Sequence, residues 1–329
     1  MKKHRILSGM RPTDRLHLGH LLGALENWKK YQDHECYYMI ADWHALSSEY
    51  EDTSRLKDNI FQITIDYISA GLDPEKSVIF LQSWVPEHAQ LHLVLSMIVP
   101  LPWVERNPTY KEQLQEVKGK DLSTYGFLGY PILQAADIVL YKADLVPVGV
   151  DQLPHLELCR EIVRRFNCIF KTEILVEPHP SLTSVPKLPG LDGRKMSKSL
   201  KNCIYLSDKG KELEKKVLGM ITDPARKLKT DKGHPDVCAV FNYHKIFNTA
   251  EASEIEHACK NAHIGCVDCK RKFEKVLIGV MQPIWEKRAH LEKDPDLLWD
   301  ILKEGTKKAR HAALKTMDEV MKAVNLPLL

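Results

Sequence analysis

Two short signatures, far apart in the chain, carry the residues best suited to handling a polyphosphate. They are His17-Leu18-Gly19-His20 and Lys195-Met196-Ser197-Lys198-Ser199. Paired histidines can donate hydrogen bonds to a phosphate, and paired lysines can stabilise the charge of a departing pyrophosphate. The histidine motif alone would also fit two surface residues at a helix start, or an incidental metal-binding pair. The lysine motif alone would also fit a solvated basic loop. Together they suit the two ends of one ATP during adenylation of a carboxylate.

The surroundings of both signatures favour this chemistry. An apolar run at Arg5–Gly9 predicts a strand, and the apolar stripe from Leu21 to Tyr31 predicts a helix. The first signature therefore lies at a helix amino terminus, where free N–H groups and the helix dipole stabilise a phosphate, and Gly19 permits close approach. The second signature follows a Pro/Gly loop at 189–194. Charge on a mobile loop can follow a phosphate as it leaves.

Composition is that of a globular protein large enough for two domains. The chain has 329 residues, 44% hydrophobic and 28% charged, with a net charge of +3. That charge is too small to argue for nucleic acid alone, although basic residues gather at 270–272 and 307–311. No run of 18 apolar residues exists, and the first residues lack the apolar region of a signal peptide. We therefore expect a cytoplasmic protein without a membrane span.

Strand-like and helical segments alternate in the first part of the chain, which predicts an α/β fold with a Rossmann-like, doubly wound parallel sheet. After about residue 205 the pattern is helical. We expect a catalytic domain at 1–190, a hinge loop at 191–205 and a helical domain at 206–329, whose last helix can pack back on the catalytic domain. The predicted strands are Arg5–Gly9, Cys36–Ala41, Ser77–Gln82 and Leu145–Val148. The predicted helices are Leu21–Tyr31, Thr53–Ala70, His88–Val99, Ile132–Leu140, Pro154–Phe166, Gly210–Met220, Thr249–Asn261, Arg271–Leu291 and Leu297–Val324.

Two further stretches of the first domain carry candidate binding residues. Asp137 is the one ionised residue in an apolar helical stretch, and a buried carboxylate needs a donor partner. A structural cap or ion pair is the alternative. The Gly149–Gln152 segment ends a strand in a turn that suits ribose hydroxyls, with Asp151 as acceptor. An ordinary turn aspartate would look the same.

Four cysteines in the helical part have the spacing of a metal site. Cys238, Cys259, Cys266 and Cys269 form a Cys-x20-Cys-x6-Cys-x2-Cys pattern. In a cytoplasmic protein this argues against disulfides, and four thiolates suit Zn²⁺ or a [4Fe–4S] cluster equally. The absence of a metal is the third reading. Three of the other four cysteines are expected to be small core residues: Cys36, Cys159 and Cys168.

With these stretches together, the chain resembles the class I aminoacyl-tRNA synthetases, most closely the bacterial-type tryptophanyl-tRNA synthetases. The first signature matches the class "HIGH" motif and the second matches "KMSKS" letter for letter. The stretch from Tyr130 to Leu140 resembles the amino-acid-binding helix of that family, and Gly149–Gln152 resembles its ribose turn. The likeness covers residues 5 to about 205. Many bacterial members have Asn in place of His20, and both residue types donate hydrogen bonds.

The resemblance implies roles by position, with ATP, Mg²⁺, L-tryptophan and tRNA(Trp) as ligands and a homodimer as the assembly. Catalytic roles fall to His17, His20, Lys195 and Lys198. The implied ATP site comprises Arg11, Pro12, Thr13, Gly19, His20, Gly149, Val150, Asp151, Leu188, Lys195, Met196, Ser197, Lys198 and Ser199. The implied tryptophan site comprises Leu7, Gly9, Tyr130, Gln134, Asp137 and Gln152. Some family members hold a [4Fe–4S] cluster on a similar cysteine set, although the first gap here is two residues shorter. Such a cluster would present Lys260, Lys270, Arg271 and Lys272 to the anticodon.

Substrate choice rests on two positions. In the tyrosine enzymes of this architecture, the first strand supplies a Tyr near the phenol and the following turn an Asp near the ammonium. Leu7 and Arg11 stand there in this chain, and a phenol hydroxyl would lack its partner at Leu7. We therefore expect tryptophan. Three alternatives stay open: a tyrosine-specific relative, a small-molecule adenylyltransferase, and a non-catalytic RNA-binding paralogue.

Overall fold

The structure is a computed structural model that describes residues 3–116, 121–182, 188–198 and 200–327. Its contacts divide the chain into two compact units. The first unit comprises Met1–Thr13, Ala24–Ser184 and Asp294–Leu329, and the second comprises Asp14–Gly23 and Val185–Lys293. The division into domains at residues 190 and 205, as the sequence suggests it, stays a prediction.

A five-stranded parallel sheet forms the centre of the first unit, which confirms the predicted fold class. The strand order is β3-β2-β1-β4-β5, and β1 pairs with β2 in register from Arg5–Glu35 to Met10–Ile40. The sequence predicts four of these strands to within a residue and misses the fifth, because its residues His-Pro-Ser-Leu form no apolar run. The strands are β1 (Arg5–Met10), β2 (Glu35–Ile40), β3 (Ser77–Leu81), β4 (Leu145–Val148) and β5 (His179–Leu182).

Helices make up most of the remaining described chain, in agreement with an α/β unit followed by a helical region. In chain order they are α1 (Leu18–His20), α2 (Glu26–Lys30), α3 (Asp42–Glu49), α4 (Leu56–Ser69), α5 (Glu87–Ser96), α6 (Leu101–Glu105), α7 (Pro108–Glu116), α8 (Tyr125–Leu140), α9 (Leu153–Ile169), α10 (Lys211–Leu218), α11 (Ala239–Phe247), α12 (Ala252–Lys260), α13 (Cys266–Leu291) and α14 (Pro295–Ala323). A π-helical turn, Leu21–Leu25, joins α1 to α2. In the described ranges, none of these helices has the length and apolar character that crossing a membrane requires.

Helix α8 differs most from its predicted bounds. The sequence places its start at Ile132, after Pro131, but the helix begins at Tyr125. The Thr124 side chain accepts a hydrogen bond from the Phe127 N–H and caps the first turn. Phe127 and most of the following residues are buried. Capping and burial therefore carry the helix through Pro131, despite the missing N–H of that residue.

The last helix, α14, belongs to the first unit and packs against β3. Gly305 lies directly on the strand, because a Cβ atom at this position would overlap the carbonyl oxygen of Ile79. Ala309, Ala313 and Met317 continue the same face into the hydrophobic core. A residue without a side chain thus permits the close crossing of helix and strand.

We expect Gly305→Ala to lower the free energy of unfolding by about 2–3 kcal/mol, because the methyl group forces α14 away from β3. Thermal and urea unfolding measure the loss. Gly279→Ala is the matched control: Gly279 is exposed on α13 with no neighbour within 4 Å of an added Cβ. That change should stabilise the protein by about 0.5–1 kcal/mol. Equal stability of the two variants would contradict the close crossing.

Candidate active site

The second unit brings the two signatures together. The Leu18 N–H donates to the Ile204 carbonyl (3.0 Å), and the Leu206 N–H donates to the Leu16 carbonyl (2.9 Å). His17 and Tyr205 form an antiparallel bridge between these bonds. Backbone pairing therefore fixes the first signature beside the chain that follows the second, at a long separation in sequence.

The histidines of the first signature present neutral N–H groups. His17 Nδ1 accepts from the Gly19 N–H (3.1 Å), and His20 Nδ1 accepts from the His17 N–H (3.2 Å). Since both Nδ1 atoms accept, each ring carries its hydrogen on Nε2. Burial, followed by the charge of Lys198, lowers the pKa of His17 to about 4, and burial lowers that of His20 still more clearly. Both rings are thus uncharged hydrogen-bond donors near pH 7.

Asn202, which the sequence analysis does not single out, organises the second signature. Its Oδ1 accepts from the Ser197 N–H (2.8 Å), and its Nδ2 donates to the Lys195 carbonyl (3.1 Å) and to Asp192 Oδ1 (2.7 Å). Asn202 is buried, and a Cβ at Gly190 would overlap its amide. Its place three residues after the motif is the one mark of this residue in the sequence.

The lysines of this loop differ in their surroundings. Lys198 Nζ donates to the Asp14 carbonyl (2.8 Å), and Lys195 is exposed. Met196 and Leu188 are buried. Ser199 lies outside the described residues. Lys198 is thus held near the first signature, where its charge affects both histidines.

In the first unit, the end of β1 and the turn after it hold several predicted residues. Leu7 is buried in the core, and Gly9 is exposed. A Cβ at Gly9 would lie 2.7 Å from the Met39 carbonyl oxygen, so the close strand pairing requires glycine. Arg11 is near enough to Tyr130 to affect its ionisation. Pro12 is buried, and the Thr13 N–H donates to the Arg11 carbonyl (2.9 Å).

The predicted ribose turn follows β4 and also belongs to the first unit. Asp151 Oδ2 accepts from Gln152 Nε2 (3.0 Å), and the Asp151 carbonyl accepts from Thr109 Oγ1 (3.1 Å). A Cβ at Gly149 would lie 2.6 Å from Asp151 Oδ1. A side chain at position 149 would therefore displace the Asp151 carboxylate, and Val150 and Asp151 are exposed.

Asp137 is the centre of a buried polar cluster of the first unit. Its Oδ1 accepts from His88 Nδ1 (2.6 Å) and Gln82 Nε2 (2.9 Å), and its Oδ2 accepts from His44 Nε2 (2.7 Å). Burial alone would raise the pKa of this carboxyl, but the two histidines outweigh it and lower the pKa to about 2. Asp137 is therefore an ionised acceptor. Sequence reasoning missed all three donors, and His44 lies on α3, which it did not predict.

Tyr130 lies beside this cluster on α8. Its hydroxyl bonds to His155 Nε2 (2.8 Å), and burial raises the pKa of the phenol. The His92 ring lies 3.4 Å from the position of a Cβ at Gly129, and burial lowers the pKa of His92 although the Asp137 charge opposes this. Gln134, on the same helix, is half-buried. Tyr130 and Gln134 were predicted to belong to this site, but His92 and His155 were not.

The four cysteines of the predicted metal site lie close together in the second unit. Burial, followed by the Cys238, Cys259 and Cys266 thiols, raises the pKa of Cys269 to about 12. Arg226 Nη1 lies 3.8 Å from the Cys259 sulfur, and a Cβ at Gly233 would overlap that sulfur. The donor set is therefore the all-thiol set that soft metals prefer.

The geometry does not form a site for a single ion. Over the ranges that the structure describes, no group of three or more His, Cys, Asp or Glu side chains could hold one metal ion. Tetrahedral Zn²⁺ would require all four sulfurs on one centre. The eight cysteines, all in described ranges, form no disulfide.

The basic residues predicted to contact tRNA differ in their surroundings within the second unit. Lys270 Nζ donates to the Leu218 carbonyl (2.7 Å) at the end of α10, and burial lowers the pKa of this lysine. Such a bond satisfies a free carbonyl at a helix carboxyl terminus. Lys260 pairs with Glu256, and Lys272 pairs loosely with Glu251 (3.8 Å). Arg271 is exposed.

The family model "tRNA synthetases class I (W and Y)" matches residues 1–282. The chain belongs to this family of aminoacyl-tRNA synthetases, as its resemblance implied. It is 53% identical to the tryptophan–tRNA ligase of Thermotoga maritima over 326 residues, which cover 98% of this chain and 99% of the relative. It is 44% identical to that of Aquifex aeolicus, over 98% of this chain and 100% of the relative.

Solved structures agree with this assignment. The crystal structure of tryptophanyl-tRNA synthetase from Campylobacter jejuni, complexed with ADP and tryptophan, superposes with a TM-score of 0.89 at 31% identity. It covers 98% of this chain and 100% of that one. A tyrosyl-tRNA synthetase from Archaeoglobus fulgidus gives a TM-score of 0.67 at 21% identity. That likeness shows the common fold alone.

Proposed function

We propose that the protein is a tryptophan–tRNA ligase of the cytoplasm. It activates L-tryptophan with Mg-ATP to tryptophanyl-adenylate and transfers the amino acid to tRNA(Trp). The observation that carries the amino-acid assignment is Asp137, a buried carboxylate that its histidine partners keep ionised. The high identity to curated tryptophan–tRNA ligases over nearly the whole chain supports the same assignment.

In the proposed reaction, the tryptophan carboxylate attacks the α-phosphate of ATP and pyrophosphate leaves. The neutral Nε2–H groups of His17 and His20 donate to phosphate oxygens. Lys195 and Lys198 stabilise the charge that gathers on the departing pyrophosphate. A terminal ribose hydroxyl of the tRNA then attacks the adenylate. Positioning and electrostatic stabilisation account for the chemistry, and no covalent enzyme intermediate is needed.

Three residues favour tryptophan over tyrosine. The Asp137 carboxylate is an ionised acceptor of the kind an indole N–H needs, and it lies among three donors, of which Gln82 Nε2 reaches both of its oxygens. Leu7 offers no partner to a phenol hydroxyl, and Arg11 offers no acceptor to a substrate ammonium group. A phenol hydroxyl buried there without a partner would carry a desolvation penalty of about 1–3 kcal/mol.

Amino-acid-dependent exchange of labelled pyrophosphate into ATP tests the proposal. With tryptophan and tyrosine assayed in parallel, exchange should depend on tryptophan alone. Exchange with tyrosine would identify the tyrosine-specific relative instead. Absence of exchange with both amino acids would favour the RNA-binding paralogue.

We propose that Cys238, Cys259, Cys266 and Cys269 hold a [4Fe–4S] cluster with a structural role. The proximity of Cys269 to the other three thiols, and a donor set made of thiols alone, support a soft-metal centre of this kind. Iron and acid-labile sulfide in anaerobically purified protein should each approach four per chain, and Cys269→Ser should lose both. Cys168→Ser is the control, because Cys168 lies outside the set and is exposed, whereas the prediction that it is a core residue like Cys36 and Cys159 is wrong. One zinc per chain, or no metal, would contradict the cluster.

We further propose that Arg271 and Lys272, at the start of α13, contact the anticodon region of the tRNA. Their charge and exposure support it. Arg271→Glu should raise the KM for tRNA about tenfold and leave pyrophosphate exchange unchanged. Lys287→Glu, an exposed lysine farther along the same helix, is the matched control. Loss of both activities together would contradict this role. Lys270 is unsuited to the test because it caps α10.

The proposed assembly is a homodimer. Apolar side chains are exposed on neighbouring turns of the first unit, at Leu93 (56%), Met97 (73%) and Leu101 (54%). Exposed apolar patches of this kind mark protein contacts. Sedimentation equilibrium should give twice the mass of the chain, and Met97→Glu should shift the protein toward monomers.

A further inference from the structure

A buried chain of hydrogen bonds supports Asp137 from within the first unit. His88 Nδ1 lies 2.6 Å from Asp137 Oδ1, and His88 Nε2 lies 2.8 Å from Tyr141 Oη. His88 and Tyr141 are both 0% exposed. The reaction as proposed uses neither residue. A polar pair of this kind is costly to bury unless every group has a partner.

The protonation of the chain follows from its chemistry. An ionised carboxylate only accepts hydrogen bonds, so His88 Nδ1 must carry a hydrogen and donate it to Asp137. Nε2 of the same ring then faces the Tyr141 hydroxyl. Turning the ring over would place carbon atoms against both partners. Tyr141 therefore fixes the one ring orientation in which His88 donates to the carboxylate.

We propose that His88 is a positioning residue for amino-acid selection, holding Asp137 as the oriented, ionised acceptor of the indole N–H, with Tyr141 fixing the His88 ring. The inference rests on the proposed function, in which Asp137 receives that N–H. His44 and Gln82 also donate to Asp137, but the His44 side chain is 10% exposed and lies on the short helix α3. Of the two histidines that donate to Asp137, His88 is the fully buried one.

Two substitutions separate the hydrogen bond from the volume of the side chain. In His88→Asn the amide nitrogen takes the place of Nδ1, so the donor to Asp137 is kept and the contact with Tyr141 is lost. In His88→Gln the amide takes the place of Nε2, so Tyr141 is reached and the donor to Asp137 is lost. Tyr141→Phe keeps the imidazole and removes only the hydroxyl. Thermal unfolding and circular dichroism verify that each variant is folded.

The measurement compares L-tryptophan with L-β-(3-benzothienyl)alanine, in which sulfur replaces the indole N–H. Pyrophosphate exchange gives kcat/KM for both amino acids, and their ratio is the preference for the N–H group. A purely structural defect lowers both values and leaves the ratio unchanged. His88→Gln should lower the preference about 10- to 100-fold, the range for a hydrogen bond to a charged group. His88→Asn should keep the preference within about threefold of that of the unchanged protein. The loss of preference in Tyr141→Phe should lie between the losses in the two His88 variants.

An unchanged preference in His88→Gln would overturn the inference, as would equal losses in the Asn and Gln variants. Asp137→Asn in the same assay separates this failure from that of the proposed function. If Asp137→Asn loses the preference while His88→Gln keeps it, only the role of His88 is wrong. If Asp137→Asn keeps the preference, Asp137 is not the indole acceptor and the assignment of the site itself fails.

Discussion

An Asp137→Asn variant should lose about 10³-fold in kcat/KM for tryptophan, close to the loss expected when one member of a buried, hydrogen-bonded charge cluster is removed. The amide offers one acceptor oxygen in place of two. Its NH₂ group would face N–H donors that the carboxylate now pairs: His44 Nε2, Gln82 Nε2 and His88 Nδ1. Unpaired donors in a buried site carry the full desolvation penalty.

Pyrophosphate exchange over a range of tryptophan concentrations measures this loss, and most of it should fall in KM. Asp52→Asn is the control, because Asp52 is exposed in the same unit and its side chain accepts from the Ser54 N–H (2.9 Å), a bond that an amide oxygen can keep. The control should stay within twofold of the unchanged protein. A loss of less than tenfold in Asp137→Asn would mean that the carboxylate serves the fold and not the substrate.

Lys198→Ala should lower kcat for adenylate formation about 10²- to 10³-fold and leave the KM for tryptophan nearly unchanged. In the structure, the ammonium group of Lys198 donates to the Asp14 carbonyl (2.8 Å). Its charge becomes most valuable when negative charge grows on the departing pyrophosphate. An interaction made mainly in the transition state lowers kcat and kcat/KM together when it is removed.

Single-turnover formation of the adenylate separates this effect from product release. The control is Lys209→Ala, an exposed lysine of the same unit outside the signature. Equal rates for the two variants would show that Lys198 has no part in the chemistry. A rise in the KM for tryptophan without a fall in kcat would assign Lys198 to substrate binding instead.

Most of the sheet could be read from local patterns. The strands β1 to β4 are short apolar runs bounded by turn residues, and the parallel pairing follows from their alternation with helices. Strand β5 escapes this reading because its four residues are mostly polar, so only pairing with β4 makes it a strand. Helices α6, α7 and α11 are likewise short, and their packing determines them more than their periodicity.

The candidate site was predicted where its residues form a compact motif. The two signatures are contiguous in sequence, and their residue types alone indicate phosphate chemistry. His44, Gln82 and His88 lie on three different segments and reach Asp137 only in the folded chain. Asn202 and Lys270 illustrate the same difficulty. Each acts on a carbonyl or an N–H group that no local pattern assigns to it.

The fold class, the phosphate-handling motifs and the family can be read from the amino-acid sequence, because they depend on residue types at short, fixed spacings. Three arrangements exist only in the folded chain: the backbone bonds that join the two signatures, the glycine crossing of α14 on β3, and the two histidines that keep Asp137 ionised. Hydrogen bonds and burial of this kind depend on distances between residues far apart in the chain. Local propensity contains no information about those distances, so only the folded molecule specifies them.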